Sequence, residues 1–535
     1  MDGKDEAAKI LGWASGKRTG VRLSRREFIQ HAVAAGITVA AAESLYSQAA
    51  RAEPKKGGTI KAALGNGATT DSLDPTTWGT NFFTTELGTL TSDQLVAIDQ
   101  TNSIVPRLAE EVTSEAGATK WIFRLREGVT FKNGKILQPA DVIASINAHR
   151  SETSKSGSKA ALKAVSEIKA DGDNVIVTLN SGNADFPYAL ASYRMSIFPG
   201  RPDGTMDYES GGCGAFSVTN FDPGVRLQAT RNPDFWDAAN VYFDEVELLV
   251  IADPAARTNV LLTGDVHYID RVDLRTIDLL KAKPELEIDN VTGSSHLIVT
   301  MMTNQAPFDN NDVRMAIKYA INREELMEKV LYNYGTLGND NPMSPTLKFA
   351  IDPEPRHSYD PAKAKEYLKK AGLDGLKLDL SASDAAFAGA LDAAQLIKEQ
   401  AAKAGIEINI VNEAADSYWD AVWMKKPFIL SYWGGGATID QIATATYAEG
   451  AAWNDTFWRN ARFNELLVAA RAELDETKRA QMYAELQQIL HDDGGQVVWA
   501  FNNYVGAHTK ALSHGKLNSN LDHDGTYMWR RWWFT

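Results

Sequence analysis

The chain has 535 residues, 44% of them hydrophobic and 23% charged, which is enough apolar material for a large core and, on length alone, for two or more lobes. A formal charge of −14 repels nucleic acid and anionic membrane surfaces, so neither is expected as a partner. The single cysteine, Cys213, excludes an internal disulfide and every multi-cysteine metal or redox motif, and it reads as a small buried residue.

Taken in chain order, residues 1–52 read as an address rather than as fold. Ser24-Arg25-Arg26-Glu27-Phe28 precedes a short, mildly apolar stretch from Ala32 to Ala42. That pattern resembles a twin-arginine signal peptide, and its apolar part falls short of the ~20 residues that span a bilayer. Ala50-Arg51-Ala52 offers a cleavage site, leaving a chain from about Glu53 that is more acidic than the precursor. No cysteine is placed there for lipid attachment and no other apolar run is long enough to cross a membrane, so the expected location is the periplasm, in soluble form.

Thr59 to Ala63 reads as a first strand, followed by a polar loop that closes at Leu73-Asp74-Pro75. Trp121-Ile122-Phe123-Arg124-Leu125-Arg126 alternates with period two, which puts Trp121, Phe123 and Leu125 inward. Asn133-Gly134 favours a turn, and Pro139-Ala140-Asp141 opens a helix running to about His149. Further on, Asp360 caps a helix with Pro361 at its first position and Gly372 at its end. A strand at 376–380, an alanine-rich helix at 389–404 and a strand at 406–411 follow in βαβ order, which favours a parallel or mixed sheet. Helices at about 462–474 and 475–491 precede a strand at 497–501.

Several of these segments, in order, resemble the extracellular solute-binding proteins of family 5, the peptide, nickel and opine binders of ABC importers. The segment from Trp121 to Gly134, continued by Pro139-Ala140-Asp141-Val142, is close to that family's signature. Ser72-Leu73-Asp74-Pro75, Gly212-Cys213-Gly214-Ala215-Phe216, Arg231 to Trp236, Pro307-Phe308 and Asp312 to Ile317 add to it. The resemblance implies an α/β, two-lobed periplasmic-binding-protein-like fold with an extra subdomain in the first lobe. The expected division is a first lobe at 53–290 with the subdomain at about 85–210, a second lobe at 291–495, and a C-terminal segment at 496–535 that returns to the first lobe. It also implies a monomer that delivers a small molecule or short peptide to the membrane subunits of an ABC permease, the ligand being held between the lobes by hinge closure.

In the peptide-binding relatives one wall of the site is the loop after Leu-Asp-Pro, here Trp78-Gly79-Thr80-Asn81, where glycine permits close approach and Asn81 can both donate and accept. The other wall follows a strand ending in tryptophan, here Tyr432-Trp433-Gly434-Gly435-Gly436. Where peptide binders carry an acid for the α-ammonium, three places after that tryptophan, this chain has Gly436. An unpaired buried ammonium costs several kcal/mol. The expected ligand is therefore opine-like, a modified amino acid or a blocked short peptide, unless Asp440 reaches in as a substitute, which would restore the rival reading of an ordinary peptide binder. Trp419 and Trp423, one helical turn apart, suit either core or a binding platform. The tail Trp529 to Trp533 is expected to dock on the first lobe.

Catalysis is not expected, since G-x-S-x-G, H-E-x-x-H and C-x-x-C are all missing, so a periplasmic hydrolase on this scaffold is the distant rival. No cofactor or metal site is called. The histidines are scattered without any i,i+4 pair, and solvated surface positions are expected for each.

Overall fold

The computed structural model describes residues 54–79 and 81–535; the twin-arginine segment and Thr80 lie outside the described residues. Most of the fold hangs on one 11-stranded mixed sheet. Its first-lobe half contains Thr59–Leu64 flanked by Glu245–Val250 and Tyr268–Ile269, both parallel to it, and then the antiparallel strands Arg226–Arg231 and Phe216–Asp222. Its second-lobe half contains Leu376–Ala382 between Ile406–Asn412 and Phe428–Trp433. The 376–382 and 406–412 strands run parallel and are joined by the helix Ala390–Ala402, the βαβ unit that the sequence pattern predicts. The result is the α/β, two-lobed architecture expected.

Two long strands, Leu286–Met301 and Gln496–Thr509, join the halves. They pair antiparallel along their length, from Leu286 opposite Thr509 in the first lobe to Thr300 opposite Gln496 in the second. Their register slips between Thr292 and His296 and again between Leu297 and Ile298, so the ladder is interrupted where one lobe gives way to the other. Such bulges bend a strand and raise its twist. The sequence pattern predicts only 497–501 of the second strand. Its continuation, Asn502-Asn503-Tyr504, is polar and does not alternate cleanly; pairing of Asn502 with Gly335, Asn503 with Thr292 and Tyr504 with Val291 holds it in the sheet.

A separate four-stranded antiparallel sheet, in the order Ala109–Ser114, Lys120–Leu125, Asn174–Leu179, Val165–Asp171, carries the helix Pro139–Arg150 and forms the subdomain. Trp121, Phe123 and Leu125 point into its core with Val142, Ile146, Val177 and Phe186. Each large side chain so buried contributes roughly 1.5–3 kcal/mol. Asp141 completes a capping box with Gln138 and accepts the Gly200 amide at 2.6 Å, so the Pro-Ala-Asp element starts a helix and pins a loop. Cys213 is buried beside Ser92, and burial pushes its thiol up to about 12.

The C-terminal residues lock onto the first lobe. Buried Glu86 accepts from the Trp529 indole at 2.6 Å and pairs with His523 at 2.8 Å, while Arg530 reaches the carbonyls of Thr89 and Ser92. Burial opposes a charge on His523, yet Glu86 and Asp270 raise it to about 10. Trp529 and Trp532 are fully buried there. Among the described residues no helix is long and apolar enough to cross a membrane.

Candidate functional site

The first-lobe element is the loop at 72–79 and the helix Phe82–Thr91 that follows. Asp74 caps a short 3-10 turn, accepting from the Thr76 amide at 2.8 Å. The Trp78 ring is 2% exposed and its Nε1 donates to the Ser72 carbonyl, so the ring belongs to the first-lobe core. That corrects its reading as a side chain facing ligand. The Trp78 carbonyl accepts from Arg194 Nε at 2.8 Å and that of Gly79 from Arg194 Nη2 at 2.6 Å and from the Tyr193 hydroxyl. Gly79 is exposed, with no atom within 4 Å of where a Cβ would stand. Asn81 is a correction too. Its Oδ1 accepts the Thr84 amide as a helix cap and its Nδ2 donates to Asp71 at 2.7 Å, so both functions are already engaged.

The second-lobe element is the end of the strand Phe428–Trp433. The strand is buried to Ser431, and then Tyr432, Gly434 and Gly435 are exposed with Trp433 half-buried. Alternation sends Tyr432 and Trp433 to opposite faces. Tyr432 meets Trp419 edge-on at 5.7 Å, the two rings being 41% and 39% exposed. On the other face Trp433 meets Trp423 at 6.0 Å and stacks on Trp453 at 6.1 Å, the latter 56% exposed. Trp423 and Trp453 were legible only as aromatics. They lie ten and twenty residues from Trp433, outside its strand, and tertiary folding brings the three together.

Beneath this cluster lies Asp455, buried and without a cationic partner. It accepts from the Trp423 indole at 3.3 Å, from Thr300 at 3.4 Å and from Gln496 at 3.1 Å. Burial outweighs these hydrogen bonds and raises its carboxyl to about 6.

Gly435 has φ +77°, and a Cβ there would lie 2.3 Å from the Ser294 carbonyl, so the turn packs directly on the interrupted ladder. A Cβ at Gly436 would meet Ile442 at 3.1 Å and Gln441 Oε1 at 3.4 Å, and that oxygen accepts the Ala437 amide. Gln441 thus folds over the place where an acid at 436 would begin. Asp440 does not substitute for that acid. It pairs with Arg471 at 2.9 Å and accepts from Thr444, buried in the second lobe. Burial nevertheless raises its carboxyl above the usual range. Next to Ser294, His296 is buried with its Nδ1 on the Ser294 carbonyl at 3.3 Å, and burial lowers it to about 4.

After the glycines the chain passes through Ala437-Thr438-Ile439, which with Ser103, Asp185 and Tyr188 of the subdomain line a cleft of about 350 Å³ between the lobes. Its edge is tied by Asp185 to Arg479 at 2.6 Å and by the Ala184 amide to the Arg471 carbonyl at 2.7 Å.

The histidines depart from the sequence reading. His149, His296, His357, His491, His508 and His523 are buried rather than solvated, because each finds a carbonyl, hydroxyl or carboxylate in the interior.

The model of the bacterial extracellular solute-binding proteins, family 5, matches residues 103–455. The heme-binding protein A of Haemophilus influenzae is 26% identical over 425 residues, covering 73% of this chain and 77% of that protein. The glutathione-binding protein GsiB of Escherichia coli is 24% identical over 445 residues, 78% of this chain and 85% of that protein. The structure of HbpA2 from Haemophilus parasuis superposes with a TM-score of 0.78 at 19% identity, covering 88% of this chain and 99% of that one.

Proposed function

The chain belongs to the bacterial extracellular solute-binding proteins of family 5, and from that premise we propose how its two walls select a solute. Members of this family are periplasmic and serve ABC importers as carriers that bind and hand over a solute rather than as enzymes. In this chain the solute sits between the loop at 78–81 and the aromatic end of the strand at 428–433. The exposed Gly79, Gly434 and Gly435 let ligand approach main chain, and Trp419, Tyr432, Trp433 and Trp453 provide faces for stacking. Closure is a rotation about the two strands that cross between the lobes.

The observation that carries the choice of solute is the engagement of both acids beside the aromatic wall. Asp440 is held by Arg471 and Asp455 is buried under the tryptophans, and Gly436 supplies none. A free α-ammonium would meet no exposed carboxylate from these positions, and an unpaired charge is expensive to bury. The solute is therefore a small polar organic molecule without an exposed α-ammonium to anchor: opine-like, a modified amino acid or a blocked short peptide. Because the relatives include a heme-binding and a glutathione-binding protein, both compounds belong in the test panel.

Thermal-shift measurements with opines, N-blocked and free di- and tripeptides, glutathione and heme test this, together with mass spectrometry of any solute released on denaturation. Blocked or conjugated solutes are expected to stabilise the protein. A panel in which free-amine peptides alone do so overturns the assignment. Export by the twin-arginine route is tested separately: Arg25→Lys with Arg26→Lys is expected to hold the precursor inside the cell.

A further inference from the structure

Three side chains from separate segments of the chain converge in the first lobe. Asp289 lies on one crossing strand, His508 on the other, and His514 in the segment that leads into the C-terminal tail. Their ligand-capable atoms all lie within 4.8 Å of one another. His514 Nε2 is 3.1 Å from Asp289 Oδ1, and His508 Nε2 is 3.5 Å from Asp289 Oδ2.

The other nitrogen of each ring settles which atoms face inward. His508 Nδ1 is 2.9 Å from the Thr509 carbonyl and His514 Nδ1 is 2.7 Å from the Gly515 carbonyl. A carbonyl only accepts, so both Nδ1 atoms carry the proton, and in the neutral rings both Nε2 atoms present lone pairs toward the carboxylate. Lone pairs of two imidazoles and a carboxylate aimed at one another repel unless a proton or a metal cation lies between them, and a proton on His514 Nε2 would serve only Asp289 Oδ1. His508 Nε2 and Asp289 Oδ2 have no hydrogen-bond partner, although His508 is 1% exposed. Backbone carbonyls holding the far nitrogens are also the arrangement that orients metal-bound histidines.

We propose that Asp289, His508 and His514 form a binding site for a divalent transition ion of the zinc class, apart from the solute cleft. Bonds of about 2.0–2.1 Å in tetrahedral geometry place neighbouring ligand atoms about 3.4 Å apart; here each ring nitrogen lies 3.1 or 3.5 Å from a different oxygen of the one carboxylate, and one ligand atom from each residue lies within 4.8 Å of the others. The two rings stand at 73° to each other, so their in-plane lone pairs can converge. Trp532 covers one side, 4.3 Å from the His514 ring and 5.2 Å from that of His508. Three protein ligands leave a fourth position for water. A second cluster, His357, His491 and Asp492, lacks this geometry. Its rings stack at 3.7 Å and 17°, which keeps their lone pairs parallel, and His357 Nδ1 is bound to Asp340. Seven residues separate Asp289 from His296, about 23 Å of strand, so the ion would clamp both crossing strands to the tail without touching the solute.

The test is titration of the chelator-stripped, untagged protein with zinc chloride, followed by calorimetry and thermal shift. One zinc per chain and a raised melting temperature are expected. H514Q, at the partly exposed ligand, should fold and melt like the ion-free parent yet bind zinc at least about 100-fold more weakly, since losing even an outer-shell partner costs about 10–100-fold. H508Q should do the same if it folds, and H357Q should leave zinc binding unchanged. No zinc binding by the parent, or equal binding by the parent and H514Q, overturns the proposal.

Discussion

In the first lobe the loop at 72–79 is held from behind by side chains that bind its main chain: Arg194 and Tyr193 on its carbonyls, Asp71 on Asn81, the Trp78 ring sunk in the core. In the second lobe the strand end at Tyr432-Trp433 does the reverse, presenting rings outward and leaving glycine main chain bare. One wall is a fixed frame that depends little on which solute arrives. The other is chemically particular, so differences in cargo among related chains should be read from the second lobe.

The strongest way to break this contrast is to remove the aromatic wall. W433A combined with W453A is expected to weaken solute binding at least about 1000-fold, the cost of roughly two binding hot spots, measured by calorimetry with the solute recovered from the protein. A loss no larger than that of a first-lobe variant would erase the distinction.

The next effect sharpens it through pH. Asp455 under the tryptophans titrates at about 6 in the folded protein against 3.8 when exposed. Its raised value means that the folded state holds the proton more tightly. The stabilisation is complete below about pH 4 and lost as pH rises through 6, amounting to about 3 kcal/mol. Denaturant melts from pH 4 to 7 should show D455N lacking this part of the parent's decline.

On the first wall, R194A removes two donors from main-chain carbonyls and is expected to cost about 1.5 kcal/mol of stability, with R194K restoring part of it. Solute affinity should fall by less than in the tryptophan variant. The smallest effect is W419A. Its ring is 39% exposed, so stability should stay within about 0.5 kcal/mol of the parent, while affinity drops only a few-fold if Trp419 flanks rather than floors the solute.

Local signals carried much of this architecture. The alternation of Trp121, Phe123 and Leu125, the Asp360-Pro361 helix start and the 376–412 βαβ unit are all short-range patterns, and each is where the sequence puts it. The site was legible as segments rather than as groups. Gly434 and Gly435 are exposed at the strand end, whereas Trp78 and Asn81 serve their own loop and Asp440 serves Arg471. Whether a polar side chain faces ligand or fold depends on partners such as Arg471, 31 residues away. The histidines make the same point: without an i,i+4 pair the sequence offers no sign that His508 and His514 meet over Asp289.

The docking of the last residues sets an order of events during synthesis. The first lobe is begun by residues near the start of the chain, but Glu86 waits for His523 and Trp529, and the carbonyls of Thr89 and Ser92 wait for Arg530. The buried core of the second lobe draws on residues 297–500, the inner ends of both crossing strands included. A ribosome therefore releases a nascent chain whose second lobe has its whole sequence while its first lobe, made earlier, still lacks a wall. The part made first is finished last, and truncation by a dozen residues at the C-terminus would strand the N-terminal half of the molecule.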